Sequence, residues 1–251
     1  DALKTLDEDT SGIVPLVMMD EVPLAIYNIA RREGSGAASK LLQTLQELRQ
    51  KTTKVRWIVT GSIGFHHVLQ RVGMTQGVLD DLEYLPLGPL PDDEAGELAR
   101  RLLLGIGQMP GDTIIETLVK ASGGIPFVLH KVAGTLDQRY RRVIGPSEVR
   151  ECFEDFIDDP DEFRWFEHYL TRVGPYYGER ASLAERVLRA TLSDTNDWIP
   201  VDTLPPEDGV NKILEDLTKD HYLERRGRSV RWRYPAVQYI WARKKGEWDR
   251  R

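Results

Sequence analysis

The sequence predicts an α/β core with a parallel sheet, then an all-helical segment, then a C-terminal module of helices and a hairpin. Three patterns carry this prediction. Buried-strand and helical patterns alternate over residues 1–90, helical patterns alone follow over 91–157, and helices precede a polar–apolar alternation over 158–251. We therefore predict three domains with these bounds.

The predicted core contains three strands. Residues 13–19 are mostly apolar, and residues 55–62 are rich in β-branched and aromatic residues, so both segments predict buried strands. Residues 83–90 form a third strand or an extended segment, which Pro86 and Pro89 interrupt. Helical patterns separate the strands, and strands that alternate with crossover helices predict a parallel sheet.

The middle segment predicts a group of short helices. Residues 92–103 begin with three acidic residues, which the positive N-terminal end of a helix favours, and then carry apolar residues at helical spacing. A Ser-Gly-Gly sequence at 122–124 ends another helix, and Pro126 starts the next at a position that tolerates proline.

The last segment predicts three helices and then a two-stranded hairpin around the Arg-Gly-Arg sequence at 226–228. This combination within 158–251 indicates a winged-helix domain. Residues 221–251 carry ten basic and three acidic side chains, a net charge of +7, whereas the rest of the chain carries −13. A basic tail on an acidic body indicates an anionic partner, or docking of the tail on its own body.

Composition excludes several classes of protein. A hydrophobic content of 41% and a charged content of 29% fit a globular protein with a core. No apolar run approaches the roughly 18 residues that a membrane helix needs, and the N-terminus has no signal-peptide pattern. The single cysteine, Cys152, excludes internal disulfides and fits a reducing compartment. We therefore predict a cytoplasmic protein with no membrane partner.

Two adjacent carboxylates end the first predicted strand. Residues 15–22, PLVMMDEV, run four apolar residues into Asp20 and Glu21. Carboxylates at the carboxyl end of a parallel strand point into the crevice where ligands bind, unless they are simply solvated in a loop. Nucleotide hydrolysis needs one carboxylate for hydrated magnesium and a second to orient the attacking water. The next strand ends in Thr60 and Ser62, hydroxyls placed to sense a terminal phosphate.

Four apolar residues followed by Asp-Glu are the Walker B pattern, and the order of the later motifs extends the likeness. After the second strand come Leu-Pro-Leu-Gly-Pro-Leu at 85–90, Gly-Gly-Ile-Pro at 123–126, and a C-terminal sequence at 220–244 that includes Arg-Tyr-Pro. In this order the chain resembles the AAA+/STAND P-loop ATPases of bacteria and archaea that carry a C-terminal winged helix. The resemblance covers nearly the whole chain.

The resemblance assigns roles to the candidate residues. It implies ATP and Mg²⁺ as cofactors, with hydrolysis that switches conformation or self-association. Asp20 would bind the magnesium through water, and Glu21 would orient the attacking water. Thr60 or Ser62 would sense the terminal phosphate.

The resemblance also assigns the two predicted N-terminal domains. Residues 1–90 would be a partial nucleotide-binding core, and 91–157 would be its helical lid. Gly124 and Pro126 in that lid match a turn that borders the adenine in the family. By spacing alone, an ordinary helix–loop–helix is the better explanation of these residues, and only the order of the motifs along the chain favours the adenine turn.

The phosphate-binding loop of the family, Gly-x₄-Gly-Lys-Ser/Thr, does not occur in the sequence. Residues 34–40, GSGAASK, have glycines and a lysine at another spacing, and they follow the Walker B strand instead of preceding it. Either the loop lies upstream in a longer protein, as a chain that starts at Asp1 indicates, or the chain cannot hold ATP alone. The alternative function is a non-enzymatic module that binds protein or DNA.

The hairpin carries five candidate nucleic-acid contacts: Arg225, Arg226, Arg228, Arg231 and Arg233. They could follow a DNA backbone through its phosphates. The helix at 207–220 would read the groove in a DNA-binding winged helix, but its acidic residues disfavour contact with phosphates. Docking on the ATPase body or on a partner protein is therefore the alternative.

Overall fold

A computed structural model of the protein describes residues 2–8, 12–85, 87–140, 144–193 and 196–246. The chain forms two units, Asp1–Pro86 and Leu87–Arg251. No helix among the described residues is long and apolar enough to cross a membrane.

The described part of the first unit has a βαβ arrangement, as the alternating pattern predicts. Its elements are α1 (Ala2–Glu8), β1 (Leu16–Met19), α2 (Val22–Arg32), α3 (Ser35–Lys51), β2 (Arg56–Val59) and α4 (Phe65–Val72). The two strands pair in parallel, and their register runs from Leu16 opposite Arg56 to Met19 opposite Val59. Both predicted strands are confirmed, although each is shorter than its predicted range.

The helices cover one face of this sheet. Met19 of β1 and Trp57 and Val59 of β2 line a small pocket together with Leu42 of α3 and Phe65 of α4. Leu42 is fully buried, and its position on the apolar face of α3 fits the leucine spacing in the sequence. This contact fixes the helices against the strands, and so it fixes the turns that leave the strand ends.

The prediction that both strands are buried is wrong for the face of the sheet that lies opposite the helices. Leu16 is 52% exposed, Met18 69% and Ile58 43%. These side chains share a face because alternate residues of a strand point to the same side and Met18 lies opposite Ile58. Parallel sheets are normally covered on both faces, so the described chain supplies only one of the two covering layers.

Of the two alternatives predicted for residues 83–90, a third strand or an extended segment, the strand is wrong. Residues 83–85 and 87–90 form no strand, while Pro86 lies outside the described residues. Proline has no N–H to donate to a strand ladder, so prolines at 86 and 89 disfavour pairing in this segment. Instead, the Leu90 N–H donates to the Gly124 carbonyl at 2.8 Å within the second unit.

The second unit is helical with a small antiparallel sheet. Its described elements are α5 (Asp92–Gly105), α6 (Asp112–Ser122), α7 (Pro126–Arg139), α8 (Pro146–Asp158), α9 (Pro160–Thr171), α10 (Val173–Tyr177), α11 (Ala181–Ala190), β3 (Ile199–Pro200), α12 (Val210–Lys219), β4 (Leu223–Arg226), β5 (Ser229–Trp232) and α13 (Pro235–Lys244). The sheet has the order β3–β5–β4, and the predicted hairpin is its β4–β5 pair. One apolar cluster runs from Ala95 in α5 to Ala242 in α13.

A buried polar network joins α9 and α10 to the segment after α12. The Arg172 guanidinium donates to the Tyr222 hydroxyl at 3.1 Å and to the Asp220 carbonyl at 2.6 Å. It also lies 4.4 Å from the Tyr169 ring centroid and 4.6 Å from that of Tyr222. The Tyr177 hydroxyl donates to the Asp220 carboxylate at 2.7 Å. A buried charge is costly without partners, so these contacts stabilise Arg172 inside the unit. They hold α9 and α10 against the segment that follows α12.

The backbone conformation and the close packing at position 124 require a glycine. Its φ is +72°, in the left-handed region, and a Cβ there would lie 2.6 Å from the Leu90 carbonyl oxygen. Glycine therefore lets the turn between α6 and α7 contact the chain that enters α5. Its role in this contact needs no nucleotide.

We expect Gly124→Ala to lower the free energy of unfolding by about 2–4 kcal/mol, since it adds left-handed strain and a backbone clash. Urea unfolding would measure the change. Gly134→Ala is the matched control because Gly134 lies inside α7 and a Cβ added there would have no atom within 4 Å. That control should be neutral or stabilising by up to about 1 kcal/mol. Equal losses in both variants would contradict the packing argument.

Candidate functional site

The candidate site lies at the carboxyl ends of the two parallel strands. Asp20 and Glu21 form the turn between β1 and α2, and Thr60 and Ser62 follow β2. The ladder continues past the strands, since the Thr60 N–H donates to the Met19 carbonyl at 2.9 Å. The structure thus brings together the four catalytic candidates that the sequence predicts.

Asp20 is fixed by two donors on one oxygen. The Thr60 hydroxyl donates to Asp20 Oδ1, and the Glu21 N–H donates to the same atom at 2.9 Å. Asp20 itself is exposed. The contacts therefore set the direction of the carboxylate while the residue stays accessible to solvent.

Glu21 is held just as firmly, by Ser62. Glu21 Oε2 accepts from the Ser62 N–H at 3.0 Å and from the Ser62 hydroxyl at 2.8 Å. The Glu21 backbone has φ +54° and ψ 29°, a left-handed conformation that is uncommon for a residue with a side chain. Glu21 also precedes α2 directly, and its carbonyl accepts from the Ala25 N–H at 2.9 Å.

These residues have the chemistry for a hard divalent cation. Carboxylate and hydroxyl oxygens are the ligands that Mg²⁺ prefers, and Mg²⁺ usually keeps several waters, so one exposed aspartate can suffice on the protein side. The chemistry of the donor set therefore fits magnesium held by Asp20 through water. The second carboxylate, Glu21, is adjacent and can accept a proton or orient a water.

Sequence reasoning missed Gly61, which lies between the two hydroxyl residues. A Cβ at Gly61 would lie 2.5 Å from Pro23 Cδ and 2.8 Å from Pro23 Cγ in the first turn of α2. Only glycine lets this loop approach the turn that carries the carboxylates so closely. The sequence does show a glycine between Thr60 and Ser62 at a strand end, which could have indicated a close approach of the backbone. It does not show that Pro23 is the residue packed against that glycine.

The two adenine candidates lie in the second unit. Gly124 packs against Leu90, and Pro126 is an exposed residue at the start of α7. The proline starts the helix as the sequence predicts. Both positions are accounted for by helix termination and packing, which is the explanation that spacing alone favours.

The five hairpin arginines do not have equal surroundings. Arg225, Arg226 and Arg228 are exposed near the turn between β4 and β5. Arg231 pairs with Glu224 and lies over the Trp198 ring, 4.6 Å from its centroid.

Arg233, the fifth, faces the chain that leads into α5. Its guanidinium donates to the Leu87 carbonyl at 3.1 Å, and the Tyr234 hydroxyl donates to the same oxygen at 3.3 Å. Arg233 is only half exposed, whereas Arg225, Arg226 and Arg228 are exposed, although Arg225 also donates to a backbone carbonyl, that of Gly227, at 3.1 Å. The exposed arginines are therefore the better candidates for an anionic partner.

Cys152 has no chemical part in the site. It lies in α8 and is fully buried, and burial raises the pKa of its thiol to about 11. A buried thiol that stays protonated is a poor nucleophile.

Comparison with known proteins adds one likeness of fold. No protein-family model and no curated protein match the sequence. Among solved structures, the chain is similar to a Walker-type ATPase of Pyrococcus abyssi, with a TM-score of 0.61 and 17% sequence identity over 90% of this chain. The chain spans 62% of the length of that ATPase chain. At this identity the likeness shows a shared fold alone.

We expect Gly61→Ala to destabilise the first unit by about 1–3 kcal/mol, because the added methyl overlaps the rigid Pro23 ring. Gly36→Ala, near the start of α3, has no atom within 4 Å of the added carbon and is the matched control. Circular dichroism during urea unfolding would compare the two. Similar midpoints for both variants would show that the loop does not need the close approach.

Proposed function

We propose that this chain is part of an ATP-hydrolysing switch of the AAA+/STAND type. The observation that carries the proposal is the grouping of two carboxylates and two hydroxyls at the ends of adjacent parallel strands. Ligands bind to open α/β sheets at this edge. The likeness of fold to a Walker-type ATPase supports the same assignment.

In the proposed reaction each residue has one task. Asp20 binds hydrated Mg²⁺, which supplies positive charge to the phosphates when bound. Glu21 orients the attacking water and accepts its proton. Thr60 or Ser62 is the sensor of the terminal phosphate, and Gly124 and Pro126 border the adenine.

We further propose that the phosphate-binding loop is carried by residues outside this 251-residue sequence. Two observations support this. The sheet has one uncovered apolar face, which an additional layer of a complete core would bury. The chain also spans only 62% of the similar ATPase, so part of that fold has no counterpart in this chain.

The domain scheme is proposed on the same grounds. Residues 1–90 form the partial nucleotide-binding core, 91–157 the helical lid, and 158–251 a winged helix. The helices α11 and α12 with the β3–β5–β4 sheet support the last assignment. A single buried cysteine without a disulfide fits a cytoplasmic location.

Glu21→Gln tests the proposal in the protein at its natural length. We expect turnover of Mg-ATP to fall by about 10²–10⁴-fold, since the amide cannot accept the proton, while ATP affinity is kept. Glu33→Gln removes the same charge from an exposed turn after α2 and is the control. Phosphate release and ATP titration would measure both quantities.

If the protein is instead a non-enzymatic module with a degenerate core, the expected result of this experiment is different. In that case wild-type protein releases no phosphate from ATP, and Glu21→Gln changes nothing. That outcome would refute the ATPase proposal.

A second candidate function is contact with nucleic acid, and the exposed arginines of the hairpin favour it. Arg225, Arg226 and Arg228 could each neutralise one phosphate without reading sequence. The helix before the hairpin is rich in acidic residues, so groove reading is not part of this proposal. A partner protein with an acidic surface is the competing partner.

Replacing Arg225, Arg226 and Arg228 with alanine tests DNA contact. We expect duplex affinity to fall and the negative slope of log affinity against log salt to become shallower by about 3, one for each lost phosphate contact. Fluorescence anisotropy over roughly 50–200 mM salt would measure the slope.

The control for this experiment removes three basic side chains elsewhere on the second unit, at Arg100, Arg101 and Lys120, all exposed. It should leave the slope unchanged. Equal losses in the two triple variants would indicate general charge attraction and refute a hairpin site. Absence of DNA binding by the wild type would refute the nucleic-acid proposal and favour the protein partner.

A further inference from the structure

We propose that Ser62 is a positioning residue for Glu21 and not a sensor of the terminal phosphate. This inference rests on the proposed ATPase function and divides the labour within the same site. Its basis is the pair of bonds from Ser62 to a single oxygen of Glu21, 3.0 Å from the backbone nitrogen and 2.8 Å from the hydroxyl.

The hydrogen count of a hydroxyl decides between the two roles. A serine hydroxyl has one hydrogen to donate, and a carboxylate oxygen and a phosphate oxygen both only accept. While Ser62 donates to Glu21, it cannot donate to a phosphate, and the same count applies to Thr60 while its hydroxyl donates to Asp20. A sensor would have to release the carboxylate at the moment when that carboxylate is needed.

The backbone of Glu21 shows that the position is enforced. A left-handed conformation is unfavourable for a residue with a side chain, and it persists only where the surroundings over-determine it. The Glu21 N–H is bonded to Asp20, and the next N–H, that of Val22, donates to the Thr60 carbonyl at 3.2 Å. The side chain is then fixed at its far end by Ser62. Main chain and side chain are thus both held by the neighbouring strand end.

The arrangement has a direct chemical consequence. Both Ser62 donors converge on Oε2, so Oε1 is the oxygen that they leave for the attacking water. A base that is held in one orientation needs no reorganisation during the reaction, and small displacements of such a group are costly for the chemical step. Ser62 therefore acts on turnover through Glu21, without touching the nucleotide.

The test is steady-state ATP hydrolysis by the protein at its natural length, with Ser62→Ala and Ser62→Thr. We expect Ser62→Ala to lower kcat by about 10–100-fold, a usual effect of losing a group that orients a reacting one, with KM for ATP unchanged. Ser62→Thr keeps the hydroxyl and should restore kcat to within about 3-fold of the wild type. This split and this rescue would not follow from a general loss of structure.

Other results would overturn the inference. A rise in KM with unchanged kcat in Ser62→Ala would show that the hydroxyl binds the nucleotide, as a sensor does. An unchanged or raised kcat would show that Glu21 does not need the hydrogen bond from the Ser62 hydroxyl. If Ser62→Ala does not fold, Ser62→Cys keeps the volume with a weak donor and should show the same fall in kcat.

Failure of the proposed function is recognised separately. Wild-type protein that hydrolyses no ATP removes both proposals together. Wild-type turnover that Glu21→Gln abolishes, combined with no effect of Ser62→Ala, removes only the positioning role.

Discussion

The parallel pairing of β1 with β2 is the interaction on which the candidate site depends. Its register places Met19 opposite Val59, so the residues that follow both strands meet at one edge. A slip of one residue would turn the side chains of a strand to its other face. The helices packed on Met19, Trp57 and Val59 oppose such a slip, so the apolar core of the first unit also sets the geometry of its polar edge.

The polar edge is organised by its own hydrogen bonds. Thr60 holds Asp20 and Ser62 holds Glu21, so each carboxylate is oriented by the strand beside it. Gly61 lets the two turns approach because it places no side chain against Pro23. Such preorganisation is what the proposed hydrolysis of ATP would require. The uncovered apolar face of the same sheet fits an edge that is one part of a larger core.

The second unit is organised around buried polar contacts as much as around apolar packing. Arg172 and Asp220 are charged groups inside the unit, and each has hydrogen-bond partners there. Burial also raises the pKa of Tyr222 to about 12, so its hydroxyl keeps the proton that it donates to the Tyr169 carbonyl at 2.6 Å. These contacts fix the hairpin relative to α9 and α10, which gives the exposed arginines of the hairpin a defined setting.

Local patterns in the sequence are enough to predict the βαβ order, the helices that follow residue 91, the hairpin, and the carboxylates and hydroxyls at the strand ends. Periodicity and turn residues are signals that neighbouring residues carry among themselves. The tertiary structure was needed to show which strand face is covered, that residues 83–85 and 87–90 form no strand, and that Ser62 binds Glu21. It also separated exposed Arg226 and Arg228 from half-buried Arg233, which donates to the Leu87 carbonyl. The physical reason is that the burial and the hydrogen-bond partners of a side chain depend on residues distant in sequence. Two arginines in the same hairpin therefore cannot be told apart from their sequence neighbours alone.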